Sequence, residues 1–208
     1  MRYYMLNKPL GQISAVFDAN RPTVMDNFPD EIRLGLSPVG RLDADTSGLL
    51  IITDDGLLNH RLTSPDFCVE KEYFFMAFGE ISPEKLEELK TGTTLPGNGF
   101  HTSPARLEII DTTTVANVEQ HLPDKIHDSV MKNPKGAVTI GRMWLTQGHK
   151  HQVRLMLKSA GCHVFVLRRD SVGGVRLDPT LKPGEFRELS KEELDLFSVY
   201  SLLLNDQK

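Results

Sequence analysis

Only two cysteines, Cys68 and Cys162, occur in 208 residues. They are too few for a disulfide framework and match no zinc-ligand spacing, so they read as two reduced, partly buried thiols in a cytoplasmic protein. No apolar run is long enough to span a bilayer. The opening MRYYMLNKPLG carries a cation at Arg2 but no apolar stretch before Lys8, which excludes a secretory signal peptide. Internal repeats and low-complexity segments are missing. So are a glycine-rich phosphate loop and a metal-ligand cluster, which leaves neither a cofactor nor a metal to expect. Net positive charge is also lacking: the balance is −4, which argues weakly against a polyanion partner.

The charge that is present is unevenly spread. Between Gly141 and Arg176, seven cations (Arg142, Lys150, Arg154, Lys158, Arg168, Arg169, Arg176) face one acid, Asp170. That segment carries +6 and the rest of the chain −10. Such a concentrated stripe can grip a polyanion, or it can be a solvated, salt-bridged face. Hydrophobic content of 39% and charged content of 25% are those of an ordinary globular protein, long enough for one large domain or two small ones.

Strands are expected over RYYMLNKP, QISAVF, LLIIT, VEKEYFFMAFG, ARLEIID, AVTIGRMWLT and HVFVLRR. SPEKLEELKTG is expected to be a helix, with Ser82 at the N-cap, Pro83 in the first turn and Gly92 at its end. Shorter helices are expected over VMDNF and LLNHRL, the latter stopped by Pro65. KHQVRLMLKSAG reads as a helix with Val153, Met156, Leu157 and Ala160 on its apolar face, and with Lys150, Arg154 and Lys158 aligned along one side. Ser190 and Glu193 form a capping box for a closing helix. The polar stretch from Asp111 to Gly136 is expected to be a flap or a short irregular element. Strands and helices mix without βαβ regularity, so the expected fold class is α+β, a mixed, mostly antiparallel central sheet flanked by helices and loops.

Chemistry concentrates in GRLDADTSGLLIITDDG, residues 40–56. Asp43, Asp45, Ser47, Gly48 and Asp54 fit a calcium-loop template, but its terminal Glu and flanking helices are missing. Asp43-x-Asp45 beside a strand also suggests an aspartyl-phosphate hydrolase using magnesium, although those enzymes place the apolar strand before the first Asp and here it follows.

The same segment closely resembles the GRLD signature of the RNA pseudouridine synthases, in the branch containing ribosomal small-subunit pseudouridine synthase A. In its brevity the chain most resembles ribosomal large-subunit pseudouridine synthase E. Further pieces match in family order: NKP near the start; EKEYFF, placing Lys71 and Tyr73; LTQGHKHQVRLM, placing Arg154; LRRDSVGGVRLD, placing Leu167, Arg169 and Gly173; and GEFRELS. The chain departs from the family's Arg-x-Arg-Gln-Val-Arg-Arg at His149-Lys150-His151-Gln152-Val153-Arg154-Leu155, where three cations become two histidines and a leucine. The histidines lack a third ligand at metal spacing and read as surface or RNA-facing.

The resemblance implies an isomerase that turns a specific uridine of ribosomal RNA, large-subunit RNA foremost, into pseudouridine without a cofactor. It implies one catalytic domain over residues 1–208, two subdomains around a cleft, with no RNA-binding domain ahead of it, acting as a cytoplasmic monomer with no membrane partner. Asp43 would be the nucleophile, and Arg154 would pair with it and favour its charged form. Tyr73 would stack on the uracil and could take the carbon 5 proton, with Leu167 as the apolar wall opposite. Arg41, Lys71, Lys150 and Arg169 would hold the RNA around the flipped base. A chain that keeps this fold but only clamps RNA, and the magnesium phosphohydrolase, are the alternatives.

Overall fold

The computed structural model describes residues 1–97 and 99–202. In chain order the strands are β1 (Tyr3–Lys8), β2 (Ser37–Pro38), β3 (Ser47–Thr53), β4 (Lys71–Phe78), β5 (Arg106–Thr114), β6 (Ala137–Leu145), β7 (His163–Val172), β8 (Val175–Arg176) and β9 (Phe186–Glu188). The helices are α1 (Asp30–Arg33), α2 (Gly56–Thr63), α3 (Pro83–Thr91), α4 (Asp124–Val130), α5 (Gln152–Ser159) and α6 (Lys191–Leu202). Two compact units share them. One comprises Met1–Lys71 and Arg168–Lys208, the other Glu72–Leu167.

In the first unit β3 is the central strand, and its burial explains its sequence. Leu49, Leu50, Ile51 and Ile52 are all buried because neighbours cover both faces of the strand, so the run is continuously apolar rather than alternating. β1 pairs antiparallel with β3 over Tyr3–Lys8 and, on its other edge, with β9. The end of β7 joins β3 in parallel through Ser47↔Arg168 and Gly48↔Arg169. One core gathers Met5, Leu49, Ile51, Leu58, Leu62, Val172 and Phe197. α2 begins where Asp55 accepts from the amides of Leu57 and Leu58, both at 3.0 Å. α6 begins with the expected capping box: Ser190 N–H donates to Glu193 at 2.8 Å, and Glu193 N–H donates back to the Ser190 hydroxyl at 3.3 Å.

In the second unit the strand order is β5, β6, β4 and the first half of β7, with β5 and β6 antiparallel. Phe75, Leu89, Leu107, Met143, Met156, Leu157 and Leu167 form its main core. α3 has Ser82 at its N-cap, Pro83 in its first turn and Gly92 at its end with φ +111°. The sheet is mixed and mostly antiparallel, with helices packed on it, and the fold is α+β. Among the described residues no helix is long and apolar enough to cross a membrane.

Several local expectations are corrected. QISAVF is not a strand: Ile13 makes one isolated bridge to Thr23, and Val16 and Phe17 stand in solvent at 57% and 80% exposure. Its alternating pattern found no neighbouring strand to pair with. Of the two expectations for the stretch from Asp111 to Gly136, the short element holds and the flap does not. β5 runs on to Thr114, a 3-10 helix follows over Val115–His121, then α4, and Val115, Val118, Leu122 and Val138 bury a small core of their own. α5 starts at Gln152, after His151 in left-handed backbone at φ +57°. Lys150 therefore sits in the preceding turn, and the row of three cations on one helix face does not form. The two thiols also differ: Cys68 is exposed and Cys162 fully buried.

Candidate catalytic site

Asp43 lies in irregular chain between β2 and β3, half-buried, with Arg41 exposed and Leu42 buried before it. No helix or strand holds this segment; specific hydrogen bonds do. Thr46 N–H donates to the Asp43 carbonyl at 3.0 Å and closes a turn. Asp45 is exposed on that turn. Gly48, where the segment enters β3, has φ +101° and lies flush against the backbone of Arg169.

The structure places a cation here that the sequence reading passed over. Lys8, the lysine of NKP, is fully buried at 0% exposure. Its ammonium donates to the Pro9 carbonyl at 3.0 Å and the Thr46 carbonyl at 2.9 Å. Burial pushes it down to about 8; the charges of Asp45 and Asp43 pull it upward, and Arg169 pushes it down. Lys8 is thus a desolvated cation within electrostatic reach of Asp43. The signal was present in NKP, but a lysine at the end of a strand ordinarily points to solvent.

Arg169 is 3% exposed, and its Nε donates to the Leu49 carbonyl at 2.9 Å. Lys71, half-buried, donates to the Val69 carbonyl at 2.9 Å. Burial lowers Lys71 to about 8; Arg169 adds to that and Cys68 opposes it. The first unit therefore brings Asp43, Lys8 and Arg169 into one electrostatic group, with Lys71 coupled to Arg169.

In the second unit Tyr73 is half-buried on β4 and packs on the main core, in which Leu167 is 5% exposed. Arg154, in the first turn of α5, donates from Nη1 to the Val164 carbonyl of β7 at 3.1 Å. Buried Gln152 shapes the turn ahead of α5: its side chain accepts from His149 N–H at 3.0 Å and donates to Gln147 at 3.2 Å. His149 stacks on Phe100, ring centroids 4.5 Å apart. Lys150 and His151 are exposed. The chain crosses between the units at Lys71–Glu72 and at Leu167–Arg168. Lys71 and Tyr73 therefore flank one crossing, and Leu167 and Arg169 the other.

The basic stripe of the sequence is partly neutralised. Arg168 is bound by Asp170 at 2.6 Å, Arg142 lies 3.4 Å from Glu72, and Arg169 is buried. Lys150, Lys158 and Arg176 remain exposed. Among the described residues no three His, Cys, Asp or Glu side chains gather as a metal-binding group.

A family model for RNA pseudouridylate synthases matches residues 2–159. The RNA pseudouridine synthase YtzG of Bacillus subtilis is 41% identical over 197 residues, covering 94% of this chain and 73% of the relative. Ribosomal small subunit pseudouridine synthase A of Escherichia coli is 35% identical over 193 residues, covering 93% of this chain and 72% of the relative. A crystal structure of a pseudouridylate synthase superposes with a TM-score of 0.76 at 31% identity, over 94% of this chain and 73% of that one. The archaeal Nop10-Cbf5 complex of a box H/ACA particle, at 17% identity and a TM-score of 0.53, shares the fold. On this likeness of sequence and fold, the chain belongs to the RNA pseudouridylate synthase family and is an isomerase acting on RNA.

Proposed function

We propose that the protein converts a uridine of ribosomal RNA to pseudouridine with Asp43 as the nucleophile. Uridine and pseudouridine have the same composition. The bond from uracil N1 to the sugar breaks, the base turns, a bond from carbon 5 forms, and the carbon 5 proton leaves while N1 gains one. Nothing is oxidised and no group is imported, so the reaction requires neither redox cofactor nor nucleotide. A carboxylate suits the task because it can attack and later depart.

The observation that carries this reading is the family match across the Asp43 segment, where a half-buried carboxylate lies within the field of buried Lys8. Arg154 is proposed to engage Asp43, Tyr73 to stack on the uracil and accept the carbon 5 proton, and Leu167 to wall the base. Arg41, Lys71 and Lys150 are proposed to hold flanking phosphates of a nucleotide flipped from its stack. Arg169 is too deeply buried for an outer phosphate, and its bond to the Leu49 carbonyl supports a role beneath the Asp43 segment instead.

Large-subunit RNA is the first target to test. Small-subunit RNA is the second reading, favoured by the name of the Escherichia coli relative. Separate large-subunit, small-subunit and transfer RNA fragments, assayed for pseudouridine with chelator present, test substrate and chemistry together. Asp43→Asn, which keeps volume and loses the carboxylate, is expected to bind RNA and form no pseudouridine. Turnover by that variant refutes the nucleophile, and turnover only when magnesium is restored refutes the cofactor-free chemistry.

A further inference from the structure

Asp43 sits in chain without regular secondary structure, yet covalent chemistry requires its carboxylate to be held still. Three contacts supply that hold from a single loop, residues 9–23. The Ser14 hydroxyl donates to the Leu42 carbonyl at 2.9 Å and accepts from the Leu42 N–H, also at 2.9 Å. Gly11 N–H donates to the Ala44 carbonyl at 2.7 Å. One hydroxyl therefore satisfies both backbone groups of the residue before Asp43, and one amide fixes the residue after it. Leu42 itself is buried at 5% exposure, so its side chain cannot follow a shift of its backbone without leaving the core. The loop in turn is anchored away from its exposed tip: Ile13 N–H donates to Pro22 and Val24 N–H donates to Ile13, both at 3.0 Å. Such a pair of hydrogen bonds from one side chain replaces the ladder that a strand or helix would have provided.

We propose that Ser14 is a positioning residue for the reaction, setting the direction of the Asp43 carboxylate through the Leu42 peptide groups. The inference rests on the reading of Asp43 as nucleophile and deepens it. Ser14 neither touches the uridine nor exchanges a proton with it. Its loss lets the Leu42–Ala44 backbone drift, and displacements of about 1 Å at a reacting group lower rates by up to ~100-fold.

The test compares Ser14→Thr with Ser14→Val, which have nearly the same volume and differ in the hydroxyl. Single-turnover rate, KM and RNA dissociation constant are measured for each on the fragment the parent protein modifies. Ser14→Val is expected to lose about tenfold to a hundredfold in kcat, with KM and RNA affinity within about twofold of the parent. Ser14→Thr is expected to recover most of that loss. Equal rates in the Thr and Val proteins overturn the proposal, as does a loss confined to KM. A Ser14→Val protein that cannot unfold cooperatively while Ser14→Thr can also counts against it, since the hydroxyl then serves the fold and not Asp43. Asp43→Asn run in parallel separates the two readings. If it turns over, the nucleophile assignment falls. If it is dead while Ser14→Val runs at full rate, only the role of Ser14 falls.

Discussion

Replacing Gly48 by alanine adds one methyl group where three strands meet. Gly48 pairs with Lys8 of β1 on one side and Arg169 of β7 on the other. A Cβ there would collide with the Arg169 carbonyl and come within 2.8 Å of the Arg168 Cγ and the Arg169 nitrogen. Two of those three atoms are backbone, so no rotamer change relieves the clash. The backbone at φ +101° is also one that an L side chain rarely adopts. Overpacking costs about 1–3 kcal/mol and such backbone strain another ~1–3 kcal/mol, so a destabilisation of about 4 kcal/mol is expected. For a chain of this size that lowers Tm by roughly 8–16 °C. Turnover should fall as well, because the displaced strands carry Lys8 and Arg169. Thermal and urea unfolding followed by circular dichroism read the stability, and pseudouridine formation reads the rate. Gly56→Ala is the control: a Cβ there meets nothing within 4 Å, and the site opens α2. That change should be neutral or stabilising by about 0.4–1 kcal/mol. A Gly48→Ala protein as stable as the Gly56→Ala protein would refute the reasoning.

Three further outcomes are expected. The folded protein holds Lys8 at about 8 against an ordinary 10.5, so above pH 8 the unfolded chain binds the extra proton and stability rises with pH. Lys71 is held at about 8 as well and adds to the same rise. Lys8→Met should therefore reduce the slope between pH 8 and 9 without abolishing it, read as urea midpoints across the window; an unchanged slope would mean that Lys8 titrates normally. Arg154→Lys keeps the charge but lacks the planar fork that can bind a carboxylate and a carbonyl together, so kcat should drop by roughly 100-fold; near-parent activity would make Arg154 a mere phosphate contact. Ser190→Ala removes the cap of α6 and should cost about 1 kcal/mol in chemical unfolding with turnover intact; no change in midpoint would show that Arg187, bound to Glu193 at 2.8 Å, holds the helix start without Ser190.

Elements whose signals are local were legible in the residues. α3 announces itself through Ser82, Pro83 and Gly92, α6 through Ser190 and Glu193, and β3 through an unbroken apolar run. The caps act over a few residues, and the apolar run of β3 marked a segment whose neighbours, β1 and β7, are in fact present to pair with it. GRLD marked the candidate site because a motif is also a local pattern. QISAVF failed for the opposite reason: a strand needs a neighbour, and β-propensity alone does not provide one. In the stretch after Asp111 the short element was legible, but the choice between it and a flap was not, because its small core joins Val115 and Val118 to Val138 across the 3-10 helix and α4.

Charge shows the division most plainly. The sequence alone determined that Lys8, Arg154 and Arg169 are cations and that Asp43 stands in the motif of an RNA-modifying family. Only the tertiary structure decided that Lys8 and Arg169 are buried while Arg41 and Lys150 face solvent. It alone also brought Ser14 onto Leu42, 28 residues away, to clamp the chain beside Asp43. The physical reason is that desolvation and hydrogen-bond partnership depend on what surrounds a group in space, whereas the sequence records only what neighbours it along the chain.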